Sequence, residues 1–515
     1  MKSLRNTIKL FLFAGTISVF SGCSDFLDQR PQGQWTMDDI EGGAYFSKVM
    51  SLYDQSRNYN ITAGIPAFAF HYFRSEDACK GSTLNDGAEH IPMWDNFQYS
   101  AGNSLLNAYW NKNYDIINEA NTIIDEINAA IEDGVQVDED VRMCASEAHF
   151  FRAWCYFNLV RAWGEVPLVN FTIKSADEAN IAKSSVAEIY AQIDKDLKDA
   201  ENLPMKWENR YIGRITSGAV RALHAKTYAQ RRMWGEMYQY SKMVMESNQY
   251  DLKTPFDKIF RESYENCSES VWEIQCTATA AESNNSTGSQ FVEVQGCRGS
   301  NESDLGWGWN MVTMDCYNAF ETGDPRRDET LLYFSTPSSP WPSFAPTTGN
   351  APYNEFLVSQ DGLHGSFYNK KAYCDPKLRE QYNDRHGHWY NIRMIRYSDV
   401  VLMAAEAACE LGGEENIAEA LDLLEQVRGR ARAGKDVLPK VTTTDQTELR
   451  KAIHHERHVE LAMEPDRFYD LVRWNEAVDV LGPLGYQEKN KFLPLPQKQI
   501  DASNGVLVQN PDYAG

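Results

Sequence analysis

Apolar residues recur at three- and four-residue steps in several long blocks of this chain, and that repetition restricts the fold more than any other feature. The first block spans residues 106–131, and a second follows at 139–163, where Gly164 and Pro167 end it. This spacing is that of an amphipathic helix, and a short connection makes two consecutive helices pack antiparallel. The sequence therefore predicts a helical hairpin here.

The same two-helix unit recurs further along the chain. Residues 186–203 pair with 217–232, another helix spans 234–247, and 397–411 pair with 417–432, where the first helix carries Ala404, Ala405, Ala407 and Ala408. Repeated helix pairs with small-residue seams are typical of a tetratricopeptide-like stack, in which each pair buries a face that it cannot bury alone. We therefore predict an all-α fold whose scaffold is built from such pairs. An irregular helical bundle is the alternative.

The helical pattern is missing between residues 251 and 392. Turn-forming runs replace it, such as Gly-Trp-Gly-Trp at 306–309 and Ser-Ser-Pro-Trp-Pro at 338–342. Binding residues tend to lie on loops that a rigid scaffold supports. We therefore predict a large, irregular, ligand-bearing insertion, and we divide the chain into a signal segment (1–22), an N-terminal helical part (23–250), this insertion (251–392) and a C-terminal helical part (393–515).

The extreme N-terminus has the composition of a bacterial export signal. A segment with three Lys or Arg residues precedes an apolar run at 10–20 that is too short to span a bilayer. Two small residues then precede Cys23, which is the arrangement that lipoprotein processing requires. We predict that Cys23 is lipidated and anchors the protein in a membrane. Ordinary cleavage that leaves a free Cys23 is the alternative.

Composition excludes some classes of partner. The 515 residues include 73 acidic and 50 basic side chains, so the formal net charge is −23. Such a polyanion repels phosphate backbones, and we expect no nucleic-acid partner. The ten cysteines contain no Cys-x-x-Cys pair, which excludes a zinc ribbon or a thioredoxin motif. An exported protein can pair some of the cysteines between 267 and 374, but the sequence does not assign the pairs.

Catalytic and metal-binding motifs are not evident in the sequence. His455-Glu456-Arg457-His458 is one residue too short for the zinc-protease helix motif, and His386-Gly387-His388 is an isolated loop pair, more typical of solvated than of ligating histidines. Apparent pairs of carboxylates are too numerous to indicate a glycosidase. We expect no catalytic residue, no metal ligand and no cofactor. An enzyme and a peptide-holding scaffold are the alternatives from other classes.

Several short motifs occur together in one order. They are Cys-Ser-Asp-Phe-Leu-Asp at 23–28, Glu-Ala-His-Phe-Phe-Arg-Ala-Trp at 147–154, Asp-Pro-Arg-Arg at 324–327, Arg-Tyr-Ser-Asp at 396–399 and Leu-Pro-Leu-Pro at 493–496. In this order they resemble the SusD/RagB family, and the resemblance covers nearly the whole mature chain. It implies a tetratricopeptide-like fold and a non-enzymatic, outward-facing outer-membrane lipoprotein. Such a protein binds oligosaccharide or polysaccharide and delivers it to a SusC-like TonB-dependent transporter, with peptide capture as the alternative.

One charged run in the C-terminal part matches the family pattern closely. Its residues are Glu456, Arg457, Glu460, Glu464 and Arg467. Their three- and four-residue spacing predicts a charge ladder along a helix, with a role in the scaffold rather than in ligand binding.

The ligand residues of the family vary, so a site must be chosen from chemistry. Sugars need flat aromatic faces for their C–H surfaces, together with amides or carboxylates for their hydroxyls. Trp94 and Asn96 lie in an aromatic loop before the first helix pair, and Trp307, Trp309 and Trp341 lie in the insertion. We predict that these five residues form the ligand platform. The alternative for each Trp is a core position in a loop-rich segment.

Overall fold

The computed structural model describes residues 43–175, 178–277 and 287–513. The signal segment and Cys23 lie outside the described residues. The α-helices are α1 Gly43–Ser56, α2 Ile65–His71, α3 Ser104–Glu132, α4 Glu139–Trp163, α5 Val186–Asp199, α6 Ser217–Gln230, α7 Trp234–Glu246, α8 Phe256–Ile259, α9 Phe291–Gln295, α10 Met314–Ala319, α11 Pro325–Thr330, α12 Pro376–Tyr382, α13 Tyr397–Leu411, α14 Glu414–Ala431, α15 Gln446–Glu460, α16 Arg467–Trp474, α17 Ala477–Leu481 and α18 Gln497–Ala502.

The strands are short and form two-stranded pairs. They are β1 Ala78–Gly81, β2 Val166–Pro167, β3 Lys183–Ser184, β4 Ser270–Ile274, β5 Trp309–Val312, β6 Leu331–Leu332, β7 Phe334–Ser335, β8 Leu357–Val358, β9 Tyr368–Asn369 and β10 Ile392–Arg396. Antiparallel pairs join β1 to β5, β4 to β10, β2 to β3 and β6 to β9, and β7 lies parallel to β8. The described residues therefore form a helical structure in which the strands make only short, two-stranded pairs.

The first helical hairpin is confirmed. Asn103 caps α3 by accepting from the backbone N–H of Leu105, and Asp138 caps α4 by accepting from that of Val141. Gly164 ends α4 with a φ of 73°, a backbone conformation that residues other than glycine rarely adopt. Almost every residue of α4 from Ser146 onward is buried, because α3 covers one side of the helix and α1 and α5 cover others.

The second predicted pair is arranged differently from the expectation. Helix α5, which was expected to pair with α6, packs more extensively on α4 than on α6, and α6 packs on α7 instead. The α4–α5 contact includes a buried ion pair, because the carboxylate of Asp196 on α5 accepts hydrogen bonds from Arg152 on α4 at 2.6 and 2.9 Å. Apolar residues of α5, such as Ile193 and Leu197, are buried as well.

The third pair has the close approach that its small residues predict. Helix α13 lies between α7 and α14 and also contacts α15. Its four seam residues, Ala404, Ala405, Ala407 and Ala408, are completely buried. Together the stacked helices form the tetratricopeptide-like scaffold, and the all-α fold class is confirmed.

The segment from 251 to 392 contains short helices, α8–α12, of four to seven residues, and most of the short strands. Strand pairing connects it to both helical parts, because β5 pairs with β1 of the N-terminal part and β4 pairs with β10, which leads directly into α13.

Within the described ranges the nine cysteines are all free thiols. Among the same residues, no helix is both long and apolar enough to cross a bilayer.

A buried ion network centred on Glu460 joins the loops to the scaffold. Glu460, on α15, is fully buried and contacts Arg326 at 3.1 Å, Arg396 at 2.9 Å and Arg430 at 2.6 Å. These arginines come from α11, from the end of β10 and from α14. Burial alone raises the pKa of Glu460, but the three guanidinium groups lower that pKa well below the usual range.

The predicted charge ladder along one helix is therefore wrong in its partners. Glu456 pairs with Arg326 and Arg428, Arg457 with Asp399 and Asp470, and Arg467 with Glu76. The partners lie on other elements because the charged face of α15 is buried against the insertion and α14. The predicted role in the scaffold is confirmed.

The network yields a stability prediction. Glu460→Gln keeps the side-chain shape but leaves three buried arginines without their shared carboxylate, so we expect a loss of about 3–5 kcal/mol in the free energy of unfolding. Urea denaturation followed by circular dichroism measures this loss. The control is Glu448→Gln on the same helix, where an exposed pair with Lys451 at 2.9 Å contributes less than about 1 kcal/mol. Equal losses in the two variants would contradict this role of Glu460.

Candidate functional site

Trp94 lies in the core rather than on a surface. Its side chain is completely buried, and its ring centroid lies 5.2 Å from that of Phe70 on α2 and 6.0 Å from that of Tyr99. The following residue, Asp95, accepts a hydrogen bond from the backbone N–H of Lys80 at 3.0 Å and so holds this turn against β1. Because the Trp94 ring has no face that a sugar can reach, we correct the sequence-based placement and leave Trp94 out of the site.

Trp309 is also buried, with 5% of its surface exposed. It lies in β5, where the Lys80 ammonium is 4.7 Å from its ring centroid. A Cβ atom at Gly87 would approach the Trp309 ring to 2.6 Å, so the loop that carries Gly87 lies directly on the ring. Trp309 supports this loop and offers no open face, which is a second correction.

Asn96 is half-buried and ends the turn that carries Trp94. Its backbone carbonyl lies beside Gly485 in the C-terminal part, where a Cβ atom at Gly485 would be only 2.8 Å from it. The structure thus places Asn96 against the C-terminal part, and no described contact brings it to Trp307 or Trp341.

Trp307 is half-buried on a glycine-flanked loop that packs on α9. Its backbone N–H donates to the carbonyl of Glu293 at 2.9 Å. A Cβ atom at Gly306 would lie 2.0 Å from that same carbonyl, so only glycine permits this approach. The Trp307 ring lies 6.3 Å from the ring of half-buried Tyr59. The two rings form a small aromatic pair at the protein surface.

Trp341 belongs to a larger exposed group, which we call the aromatic surface and define as Trp341, Phe344 and Phe356. Phe344 is 50% exposed and Phe356 is 52% exposed. The rings of Trp341 and Phe356 lie 4.9 Å apart in an edge-to-face arrangement. Trp341 and Phe344 pack on Tyr333, which is buried, and the indole N–H of Trp341 donates to the carbonyl of Pro346 at 3.1 Å. The rings are therefore held in place while part of each stays open.

Three charged residues are connected to the segment that carries Trp341, and we call Asp361, Arg298 and Asp86 the polar row. Asp361 accepts from the backbone N–H of Ser338 at 3.2 Å, three residues before Trp341. The neighbouring Gln360 donates its backbone N–H to the carbonyl of Arg298 at 3.0 Å, and the Arg298 guanidinium pairs with Asp86. The polar row thus links the insertion to the loop that follows β1.

Both carboxylates of the polar row are ionised at neutral pH. The hydroxyl of Ser338 donates to Asp361 and lowers the pKa of that carboxyl below its usual value. Burial raises the pKa of Asp86, but hydrogen bonds from Ser82 and Arg298 lower it by more, so the pKa of this carboxyl is below its usual value. The row therefore offers two hydrogen-bond acceptors and one planar donor, which are the groups that bind sugar hydroxyls.

Sequence reasoning identified Trp341 and Trp307 but missed Phe344, Phe356 and the polar row. Phe344 and Phe356 lie in a segment rich in Pro, Ser and Asn, which predicts a loop but not which of its aromatic residues are exposed. No comparable signal marks Arg298 and Asp86, whose contact joins residues 212 positions apart. On α15, His454 and His458 lie one helical turn apart but contact different carboxylates, those of Glu476 and Asp77.

Two family profiles match this chain. Residues 268–490 match the profile described as the SusD family, and residues 25–229 match the one described as starch-binding associating with outer membrane. A SusD-like protein of Formosa agariphila, P2, is 27% identical over 438 residues, covering 81% of this chain and 83% of the relative. A SusD-like protein of Bacteroides ovatus is 26% identical over 493 residues, covering 90% and 82%.

Solved structures share the fold. A laminarin-binding SusD-like protein is 24% identical and superposes with a TM-score of 0.71, covering 91% of this chain and 99% of that one. Surface glycan-binding protein A from Bacteroides thetaiotaomicron, solved in complex with laminarihexaose, is 21% identical with a TM-score of 0.71, covering 90% and 98%. These structures show the fold, and the two profiles, which together match residues 25–229 and 268–490, show that the chain belongs to the SusD/RagB family.

Proposed function

We propose that this protein captures a glycan at the outer face of the outer membrane and delivers it to a SusC-like TonB-dependent transporter, without cleaving it. The observation that carries the proposal is the exposed aromatic surface, whose segment is tied through Ser338 to Asp361 of the polar row. Exposed aromatic rings and nearby polar side chains together supply both contacts that a sugar needs. Relatives that bind laminarin or laminarihexaose share the fold, which supports the same class of ligand.

The net charge bears on which glycans fit. At −23, the protein repels polymers that carry many sulfates or carboxylates, and salt weakens that repulsion only partly. The polar row itself has two acids and one base. We therefore propose a neutral glycan as the ligand, bound chiefly by Trp341 with Phe344 and Phe356, and with Trp307 and Tyr59 as a second contact area.

The expected energy per ring is modest. A Trp side chain carries roughly 150–250 Å² of surface, and covering one face at about 25 cal/mol per Å² gives on the order of 2 kcal/mol. Short sugars should therefore bind weakly, at about millimolar affinity when two faces are covered. Polymers that bind to several positions at once should bind more tightly.

We expect Trp341→Ala to weaken retention on the cognate neutral polysaccharide by about tenfold, because it removes one stacking face. Retardation in native gels that contain individual polysaccharides, from a panel that includes β-glucans and starch, measures this change. The melting temperature should hardly change, since the Trp341 ring is half-exposed.

The matched control is Trp207→Ala. Trp207 is also half-buried and also donates its indole N–H to a backbone carbonyl, that of Ile215 at 2.8 Å, but it lies in the N-terminal helical part. Retention should be unchanged in this variant. Equal retention of wild type and Trp341→Ala on every glycan would reject the aromatic surface as the site. Binding to peptides alone would favour the peptide alternative, and newly released reducing ends would indicate an enzyme.

Lipidation at Cys23 supplies the anchor in this proposal. Cys23→Ala removes the acylated residue, so the protein should move from the membrane fraction to the soluble fraction, because acyl chains provide the membrane affinity. Fractionation of transporter-deficient cells after a high-salt wash tests this. Cys267→Ala, which alters another cysteine that is not fully buried, should leave the protein in membranes. Continued pelleting of Cys23→Ala would reject the anchor.

Delivery requires a transporter that holds the capture protein. Pull-down of the tagged protein from detergent extracts of the native membrane should therefore recover a large TonB-dependent β-barrel protein at near-equal amounts. The Trp341→Ala variant should recover the same barrel, because in this proposal the Trp341 ring contacts the ligand and not the transporter. Isolation of the tagged protein alone from wild-type membranes would argue against delivery by direct handover.

A further inference from the structure

Two histidines and a glutamate meet beside the Trp307 loop. The Nδ1 atom of His386 lies 3.3 Å from Oε1 of Glu293, and the Nε2 atom of His388 lies 3.3 Å from Oε2 of the same carboxylate. One ligand atom from each of the three residues can be chosen so that all lie within 4.8 Å of one another. Ligands bound to a tetrahedral zinc ion at about 2.0–2.1 Å stand about 3.3 Å apart, so each imidazole lies at a ligand's distance from one of the two Glu293 oxygens.

A fourth residue orients one of the imidazoles. The Nδ1 atom of His388 lies 2.8 Å from Oδ2 of Asp384 and donates its hydrogen to it, which leaves Nε2, hydrogen-bonded to Oε2 of Glu293 at 3.3 Å, as the nitrogen that a metal ion would bind in place of its proton. Asp384 also accepts from the backbone N–H groups of His386 at 2.9 Å and His388 at 3.3 Å. A carboxylate that fixes the tautomer of a histidine is the usual outer-shell partner of a metal-bound imidazole.

The two segments that carry these residues are fixed to each other. The backbone N–H of Ser289, just before α9, donates to the carbonyl of His388 at 2.9 Å, and Gln290 donates its side-chain amide to Glu293 at 2.9 Å. Gly387 has a φ of 71°, and a Cβ atom there would lie 2.9 Å from the sulfur of Cys374. Only glycine therefore allows the turn that brings both imidazoles to one side.

Two other His–carboxylate clusters in the described residues differ in one respect. In the first, Asp196 beside His149 already binds the guanidinium of Arg152, and in the second, Glu76 beside His458 binds that of Arg467. A guanidinium compensates the carboxylate charge in both. Among the residues that the structure describes, no Lys or Arg lies within ion-pair distance of Glu293 or Asp384.

We propose that Glu293, His386 and His388 bind a divalent transition-metal ion of the zinc type, with Asp384 as the positioning residue. Imidazole and carboxylate donors together suit zinc. Half-buried His386 lies on the solvent side, whereas His388 is almost fully buried, so an ion can enter past His386, and a water molecule can complete the coordination. The bound ion would fasten the 384–388 loop to α9, whose Glu293 carbonyl also holds Trp307.

Metal retention tests the proposal on the full chain purified in mild detergent. The protein is stripped with EDTA, equilibrated with one equivalent of zinc chloride, passed through a desalting column and analysed for zinc by mass spectrometry. Wild type should retain about one zinc ion per chain and melt at a higher temperature with zinc than without. His386→Ala and Glu293→Gln should each lower zinc affinity at least tenfold, and Asp384→Asn should lower it by about 10- to 100-fold.

The matched control is His455→Ala. His455 lies 3.4 Å from Glu321, so it is a half-exposed histidine beside a single carboxylate, without a second imidazole. This variant should keep the zinc content of wild type. If Glu293→Gln folds poorly, His386→Ala still decides the question, because its ring is half-exposed. Absence of retained zinc in wild type, or equal zinc in wild type and His386→Ala, would overturn the site.

Discussion

The buried carboxylate of Glu460 is the contact on which the arrangement of the loops depends. A buried charge is costly unless it is paired, and Glu460 meets that condition only when Arg326, Arg396 and Arg430 converge on it. One arginine comes from the insertion, one from the strand that leaves it and one from the scaffold. Each of these parts must therefore be correctly placed before the charge is compensated. Loops without helical periodicity acquire a defined position in this way.

That fixed position explains how the insertion can expose large aromatic rings. An exposed ring that stacks on a ligand must keep its place without the packing that holds a core residue. In this protein the buried residue Tyr333 supports the aromatic surface. The side-chain amide of Asn350 fixes Tyr333, because it accepts from the backbone N–H of Tyr333 at 3.0 Å and donates to its carbonyl at 2.8 Å. The Trp307 loop is held similarly, by the approach of Gly306 to α9. The proposed binding surface and its support are thus separate residues, so we expect that a ring can be changed without loss of the fold.

The sequence predicts the scaffold well because helices are local. Periodic apolar residues define α3, α4 and α13, and Gly164 marks a helix end that the structure reproduces. Partners across the fold are not local, and the sequence could not supply them. Glu456 and Arg326, for instance, are 130 residues apart, and helical spacing instead suggested partners within α15. The buried Arg152–Asp196 contact is a similar case, since it joins two helices.

The residues predicted to bind the ligand show the same limit more sharply. Trp94, Trp309 and Trp341 have similar local composition, with turn-forming and polar neighbours, yet the first two are buried and the third is half-exposed. The pairing of β1 with β5 decides this difference, because it brings Trp309 under Lys80, while Asp95 holds the Trp94 turn against the same strand. These strands are more than 220 residues apart in the chain, so no local pattern reports their contact. Trp341 lies outside that contact, in a proline-flanked loop, and part of its ring stays exposed.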